Sequence, residues 1–104
     1  MFLAVPGVVS LRGSSVHANL MGDYALAPAF HEGRPCYKSD DGKHYLYYDE
    51  SGNWVVGETV GAVGDLNVPS TAESPAALVG AGWKANDGSN WVADAGMGIT
   101  VGKT

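Results

Sequence analysis

Apolar and polar positions alternate with a period of two over much of the chain, and turn residues interrupt them every few positions. That pattern predicts short β-strands joined by tight turns. Val8 to Leu11 reads as a first strand, closed by Arg12-Gly13-Ser14-Ser15. Asp23 to Ala27 places Tyr24 and Leu26 on one face, and Pro28 is expected to stop it as a central strand because proline donates nothing to a ladder. Arg34 to Lys38 is a short strand with Cys36 and Tyr37 on opposite faces, followed by the turn Ser39-Asp40-Asp41-Gly42. His44 to Tyr48 carries Tyr45 and Tyr47 on one face and His44, Leu46 and Tyr48 on the other. Large groups on both faces mark it as the central strand. After Glu50-Ser51-Gly52-Asn53, the strand Trp54-Val55-Val56 returns antiparallel and completes a three-stranded meander with aromatic cross-strand pairs.

The second half is weaker in pattern. Gly57 to Gly64 is too rich in glycine for a firm strand, and Leu66 to Val68 reads as a short edge ended by Pro69. Ser74 to Val79 is the one helical turn, since serine caps and proline suits the first helical position. Trp83 to Ala85, the turn Asn86-Asp87-Gly88-Ser89 and Trp91-Val92 make a final hairpin, and Ile99 to Val101 a last strand. The fold class is therefore all-β: a small antiparallel barrel or sandwich of about eight short strands.

Two segments echo others. Ser51 to Val56 resembles Gly88 to Ala93, a turn followed by Asn-Trp-Val in each, which reads as one hairpin chemistry used twice. Ala4 to Val9 resembles Ala95 to Thr100, as if the first strand repeated the last in an array cut between units. Residues 7–11 are expected to form a paired strand, within the chain or with a second copy. Residues 1–18 also have a competing reading as a leader, because Phe2 to Leu11 is apolar and Val16-His17-Ala18 would allow cleavage before Asn19, placing the protein outside the cell. The strand reading is preferred: no Lys or Arg precedes the apolar stretch, and Arg12 interrupts its downstream side. The chain then divides into an N-terminal strand segment, 1–18, and a single aromatic-rich β domain, 19–104.

Composition narrows the partners. At 104 residues the chain holds one compact domain, with six Lys+Arg against eleven Asp+Glu for a net charge of −5. An acidic surface repels polyanions, so no nucleic-acid partner is expected. No apolar run reaches the roughly 18 residues that span a bilayer, so no membrane partner is expected either. One cysteine cannot form an internal disulfide.

Gly33-Arg34-Pro35-Cys36-Tyr37, Tyr45-Leu46-Tyr47-Tyr48, Trp54-Val55-Val56-Gly57, Ser74-Pro75, Trp83 and Trp91 form a distinctive series. Over about residues 19–101 it resembles an aromatic-rich repeat module found in large multidomain proteins of marine protists and other aquatic organisms. The resemblance implies an interaction or scaffold role and carries over no catalytic residue or cofactor.

Candidate chemistry is sparse. Cys36 with His31 or His44 is the one nucleophile-and-base combination, since a thiolate needs an imidazole within hydrogen-bond reach. Those three residues define the alternative function, a small hydrolase or metal-dependent enzyme. His17, His31, His44, Asp40 and Asp41 lack a metal-site spacing, and no phosphate-binding glycine loop or nucleophile elbow is present. No metal or other cofactor is expected. The aromatics carry the preferred reading, a non-catalytic binding or assembly module. Tyr45, Tyr47, Tyr48, Trp54, Trp83 and Trp91 are its candidate ligand-binding residues, stacking a glycan or a peptide of a protein partner on an exposed face. A homo-oligomer through strand pairing is the accompanying expectation.

Overall fold

The computed structural model describes residues 5–101. Residues 1–4, in the apolar N-terminal stretch and its echo, and residues 102–104 lie outside the described residues. The fold is all-β, with nine strands among the described residues: β1 (Val8–Arg12), β2 (Gly22–His31), β3 (Arg34–Ser39), β4 (Tyr45–Tyr48), β5 (Asn53–Gly57), β6 (Leu66–Pro69), β7 (Lys84–Asn86), β8 (Trp91–Ala93) and β9 (Gly98–Val101). They form one sheet in the order β8-β7-β6-β5-β4-β3-β2-β1-β9, with every neighbouring pair antiparallel. β4 is the middle strand, as its two-sided aromatic pattern requires. β1 pairs within the chain on both sides, Leu11 opposite Gly22 on β2 and opposite Ile99 on β9. The two ends that echo each other are thus neighbours.

Chain connectivity forces the sheet to curl. Laid flat at about 4.8 Å per strand, the margins β8 and β9 would stand roughly 38 Å apart. They are joined only by residues 94–97, a link that reaches about 17 Å at full stretch and is further tightened by a Met97 N–H to Asp94 carbonyl bond of 3.0 Å. The result is a half-barrel. Val9, Leu11, Tyr24, Tyr37, Leu46, Tyr48, Trp54, Val56, Leu66, Val68, Ala85 and Ile99 pack together on its concave side. Two crossing segments complete that core, residues 13–20 through Leu20 and residues 70–82 through Leu78, Ala72 and Ala81. Each contains a short 3-10 turn, Ala18–Leu20 and Pro75–Leu78, and the second is capped by the Ser74 hydroxyl accepting from the Ala76 N–H at 3.3 Å.

The convex side is roofed over the central strands. Cys36, Tyr47 and Val55 form a second cluster there with Ala27, Tyr45 and Val60. The loop 58–64 lies on it, its Ala62 carbonyl accepting from the Tyr47 hydroxyl. Glycine makes this close approach feasible: a Cβ on Gly64 would sit 2.3 Å from Val55 Cγ1 and 2.5 Å from the Val56 carbonyl oxygen. The Gly57–Gly64 stretch, unreadable as a strand, is this roof.

Three strand expectations need correction. β2 runs through Pro28 to His31, because its pairing with β3 breaks between Leu26 and Phe30 and β1 no longer flanks it there, so the missing N–H is not needed. Leu26 is exposed although Tyr24 is buried: beyond Val8 opposite Ala25 its neighbour is Gly7, whose carbonyl accepts from the Leu26 N–H at 2.9 Å but which offers no side chain to cover it. β6 is internal rather than an edge: Leu66 and Asn67 pair with β7, and only Val68 and Pro69 are free on that side.

Candidate functional site

The six candidate aromatics do not share a face. Trp54 is 0 % exposed, and Trp83 and Tyr47 are equally closed to solvent. Tyr48 is also buried, with Trp54 edge-on at 5.9 Å between centroids and the Arg34 guanidinium 4.0 Å over its ring. Arg34 is held there by donating to the Thr71 and Ala72 carbonyls, at 2.7 and 3.3 Å. Trp54 Nε1 donates to the same Ala72 carbonyl at 2.9 Å. As stacking platforms these four are excluded, because a chain with one isoleucine and two phenylalanines must build its core from tyrosine and tryptophan. Tyr45 is half-buried, with Lys38 Nζ 5.9 Å from its centroid. Trp91 alone among the tryptophans reaches the surface, at 38 % exposed.

Trp91 opens β8, at one margin of the sheet. The turn before it is built by side chains: Asn86 Oδ1 accepts from the Gly88 N–H at 2.9 Å, and Asp87 Oδ1 accepts from Ser89 and Asn90 at 3.0 and 2.9 Å. Those backbone donors, Asn90 first, hold the Asp87 carboxyl below the usual carboxylate range. Gly88 supplies the φ of +105° that the first position of this two-residue loop requires. Bonds from Asp94 N–H to the Trp83 carbonyl (3.0 Å) and Asp87 N–H to the Asn90 carbonyl (3.0 Å) fix the phase of the ladder. By the alternation of antiparallel pairs, Val92 then faces β7, while the N–H and C=O of Trp91 and Ala93 point outward from the sheet. β8 carries no charge, proline or bulge that would blunt this edge.

His31, Cys36 and His44 are dispersed. His31 sits edge-on to Tyr47 at 5.7 Å and lines a cleft with Glu32, Asp49 and Glu50. His44 lines a different cleft with Asp23, Asp40 and Asp41, its Nδ1 3.9 Å from Asp41 Oδ1. Asp41 is held low by the Ser39 hydroxyl and the Lys43 N–H. Cys36 lies in the convex cluster, where burial pushes its thiol up, away from the thiolate a nucleophile needs. Among the described residues, no three His, Cys, Asp or Glu side chains are grouped to hold a metal ion.

Sequence reasoning missed Ala93, whose contribution is its backbone, and a second surface feature, Phe30. Phe30 is 71 % exposed on β2, beyond Leu26 and Pro28. Pro28 was the available signal, because a proline inside a strand marks an unflanked stretch. The chain matches no protein-family model, no curated protein and no solved structure.

Proposed function

We propose that this chain is a non-catalytic binding or assembly module, whose protein partner adds an extended segment along β8 and packs it against Trp91. The observation that carries the reading is the coincidence of an exposed tryptophan with unpaired backbone groups on the same three-residue edge. Strand addition takes its affinity from main-chain hydrogen bonds and its specificity from side-chain anchors, and tryptophan is the residue type most enriched among such anchors. Of the six candidate aromatics Trp91 is the one used here, and the edge offered to a partner is β8 rather than residues 7–11, since β1 is flanked within the chain by β2 and β9. The reading also agrees with the interaction role that the resemblance to aquatic repeat modules implies.

Two variants test it. Ala93→Pro deletes an outward N–H without touching the β7 ladder, and Trp91→Ala deletes the anchor. Peptides selected from a displayed random library on the intact domain are expected to lose binding to both variants while thermal stability is retained. Glycan-array binding that needs Trp91 but tolerates Ala93→Pro would instead assign the ring to sugar stacking. Self-association lost in both variants would identify the partner as a second copy.

A further inference from the structure

We infer that the segment added along β8 carries a carboxylate two residues away from the residue that packs on Trp91, and that Lys84 reads this carboxylate. The inference rests on strand addition at β8 and specifies the chemistry of the partner. Trp91 and Ala93, two positions apart, share one face of the sheet with the β7 residues directly opposite them, Asn86 and Lys84. Trp91, Ala93 and Lys84 are exposed, whereas Ala85, on the other face, is fully buried. At this margin the shared face is therefore turned to solvent.

Lys84 is the one charged residue on β6, β7 and β8. Its direct neighbours across the ladder are uncharged, Ala93 on β8 and Asn67 on β6. Among the described residues the one pair of oppositely charged groups within 4 Å is His44 with Asp41, so the Lys84 ammonium has no carboxylate partner. Because Val92 is the β8 residue bonded to β7, Lys84 and Ala93 form a non-hydrogen-bonded pair, where side chains approach most closely. Ala93 ends at its Cβ, which lets the lysine stem lie across it and bring the ammonium to the margin. A residue added opposite Ala93 has its Cα about 10 Å from that of Lys84, a gap that lysine and an acidic side chain bridge together. Asp87, in the turn at the Trp91 end, directs its carboxylate onto the Ser89 and Asn90 N–H groups, so the acidic position belongs at the Ala93 end. The net charge of −5 favours basic partners at long range, and Lys84 sets the opposite preference at one position of the added strand.

Random octapeptides displayed on phage, selected on the intact chain, are the probes. Selected peptides that lose binding to Ala93→Pro are expected to carry Asp or Glu two residues from an apolar or aromatic residue. Replacing that acidic residue by Gln should weaken binding to the parent chain about two- to five-fold, the worth of an exposed ion pair. Replacing it by Lys should reverse the preference, so that the Lys84→Glu variant binds the lysine peptide more tightly than the acidic one. Lys84 is exposed, and Lys84→Glu should keep the parental melting temperature. Peptides that need the Ala93 N–H but bind the parent and Lys84→Glu equally would overturn the role of Lys84 and leave strand addition standing. Peptides that all bind Ala93→Pro as well as the parent would overturn strand addition and this inference with it.

Discussion

The Ser14 hydroxyl donates to the Asp94 carboxylate across 80 residues of sequence, in a buried hydrogen bond that ties the segment after β1 to the turn between β8 and β9. The same hydroxyl accepts from the His17 N–H at 2.9 Å, and His17 Nε2 lies 2.6 Å from the Asn86 carbonyl oxygen. One side of the half-barrel is thus laced from its first strand to its last hairpin. Ser14→Ala is expected to lower stability by about 1–3 kcal/mol, since it leaves a buried carboxylate short of a donor. Urea unfolding of the variant measures this, and an unchanged midpoint would show that the bond is dispensable.

Backbone contact reinforces the same junction. A Cβ on Gly13 would lie 1.9 Å from the Gly96 carbonyl oxygen, and Gly13 has φ +87°. Gly13→Ala should therefore be among the most damaging small substitutions, with Gly82→Ala as the tolerated control. Comparing the two melting temperatures checks this; equal values would mean that the 94–97 turn can move aside.

Trp54 is expected to be structural. Trp54→Ala removes a fully buried ring and the Nε1 bond that holds residue 72 over the core, and should lose on the order of 3–5 kcal/mol. Chemical denaturation gives the value. A loss below about 1 kcal/mol would contradict the assignment of Trp54 to the core.

Alkaline pH should unfold the domain through its buried phenols. Burial pushes the hydroxyl of Tyr37 up to about 12, and also raises those of Tyr24 and Tyr47. Their ordinary value is near 10. Between 10 and about 12 the unfolded chain has released protons that the folded chain still holds, so stability is intact below pH 10 and falls as pH rises beyond it. Melting temperatures across pH 7–11.5 should show that fall, and it should be shallower in Tyr37→Phe. A flat profile to pH 11.5 would contradict it.

Much of the fold is legible in the sequence because it depends on local pattern. Tyr45 to Tyr48 announces a two-sided central strand, and Ser74-Pro75 announces the capped 3-10 turn. The site is not legible in this way, and the repeated Asn-Trp-Val shows why. Trp54 and Trp91 each follow an inward-facing residue, Tyr48 and Ala85, by six positions. In the first hairpin Asp49 N–H bonds the Asn53 carbonyl around a three-residue loop, which sets Trp54 opposite Tyr48 and so inside. In the second the loop has two residues, Ala85 falls opposite Val92, and Trp91 is turned outward. A one-residue difference in pairing reverses every side chain of a strand. The placing of the 94–97 link and of the 58–64 roof is illegible for a related reason, since contacts distant in sequence set both.

Amide hydrogen exchange along β8 tests the open edge most directly. At a concentration where the chain is monomeric, Val92 should be protected at least about ten-fold more than Trp91 and Ala93, because only its N–H faces β7. Saturating the domain with a selected peptide should then slow exchange at Trp91 and Ala93. Protection of all three amides alike in the free monomer would mean that the edge is already covered, and would contradict strand addition at β8.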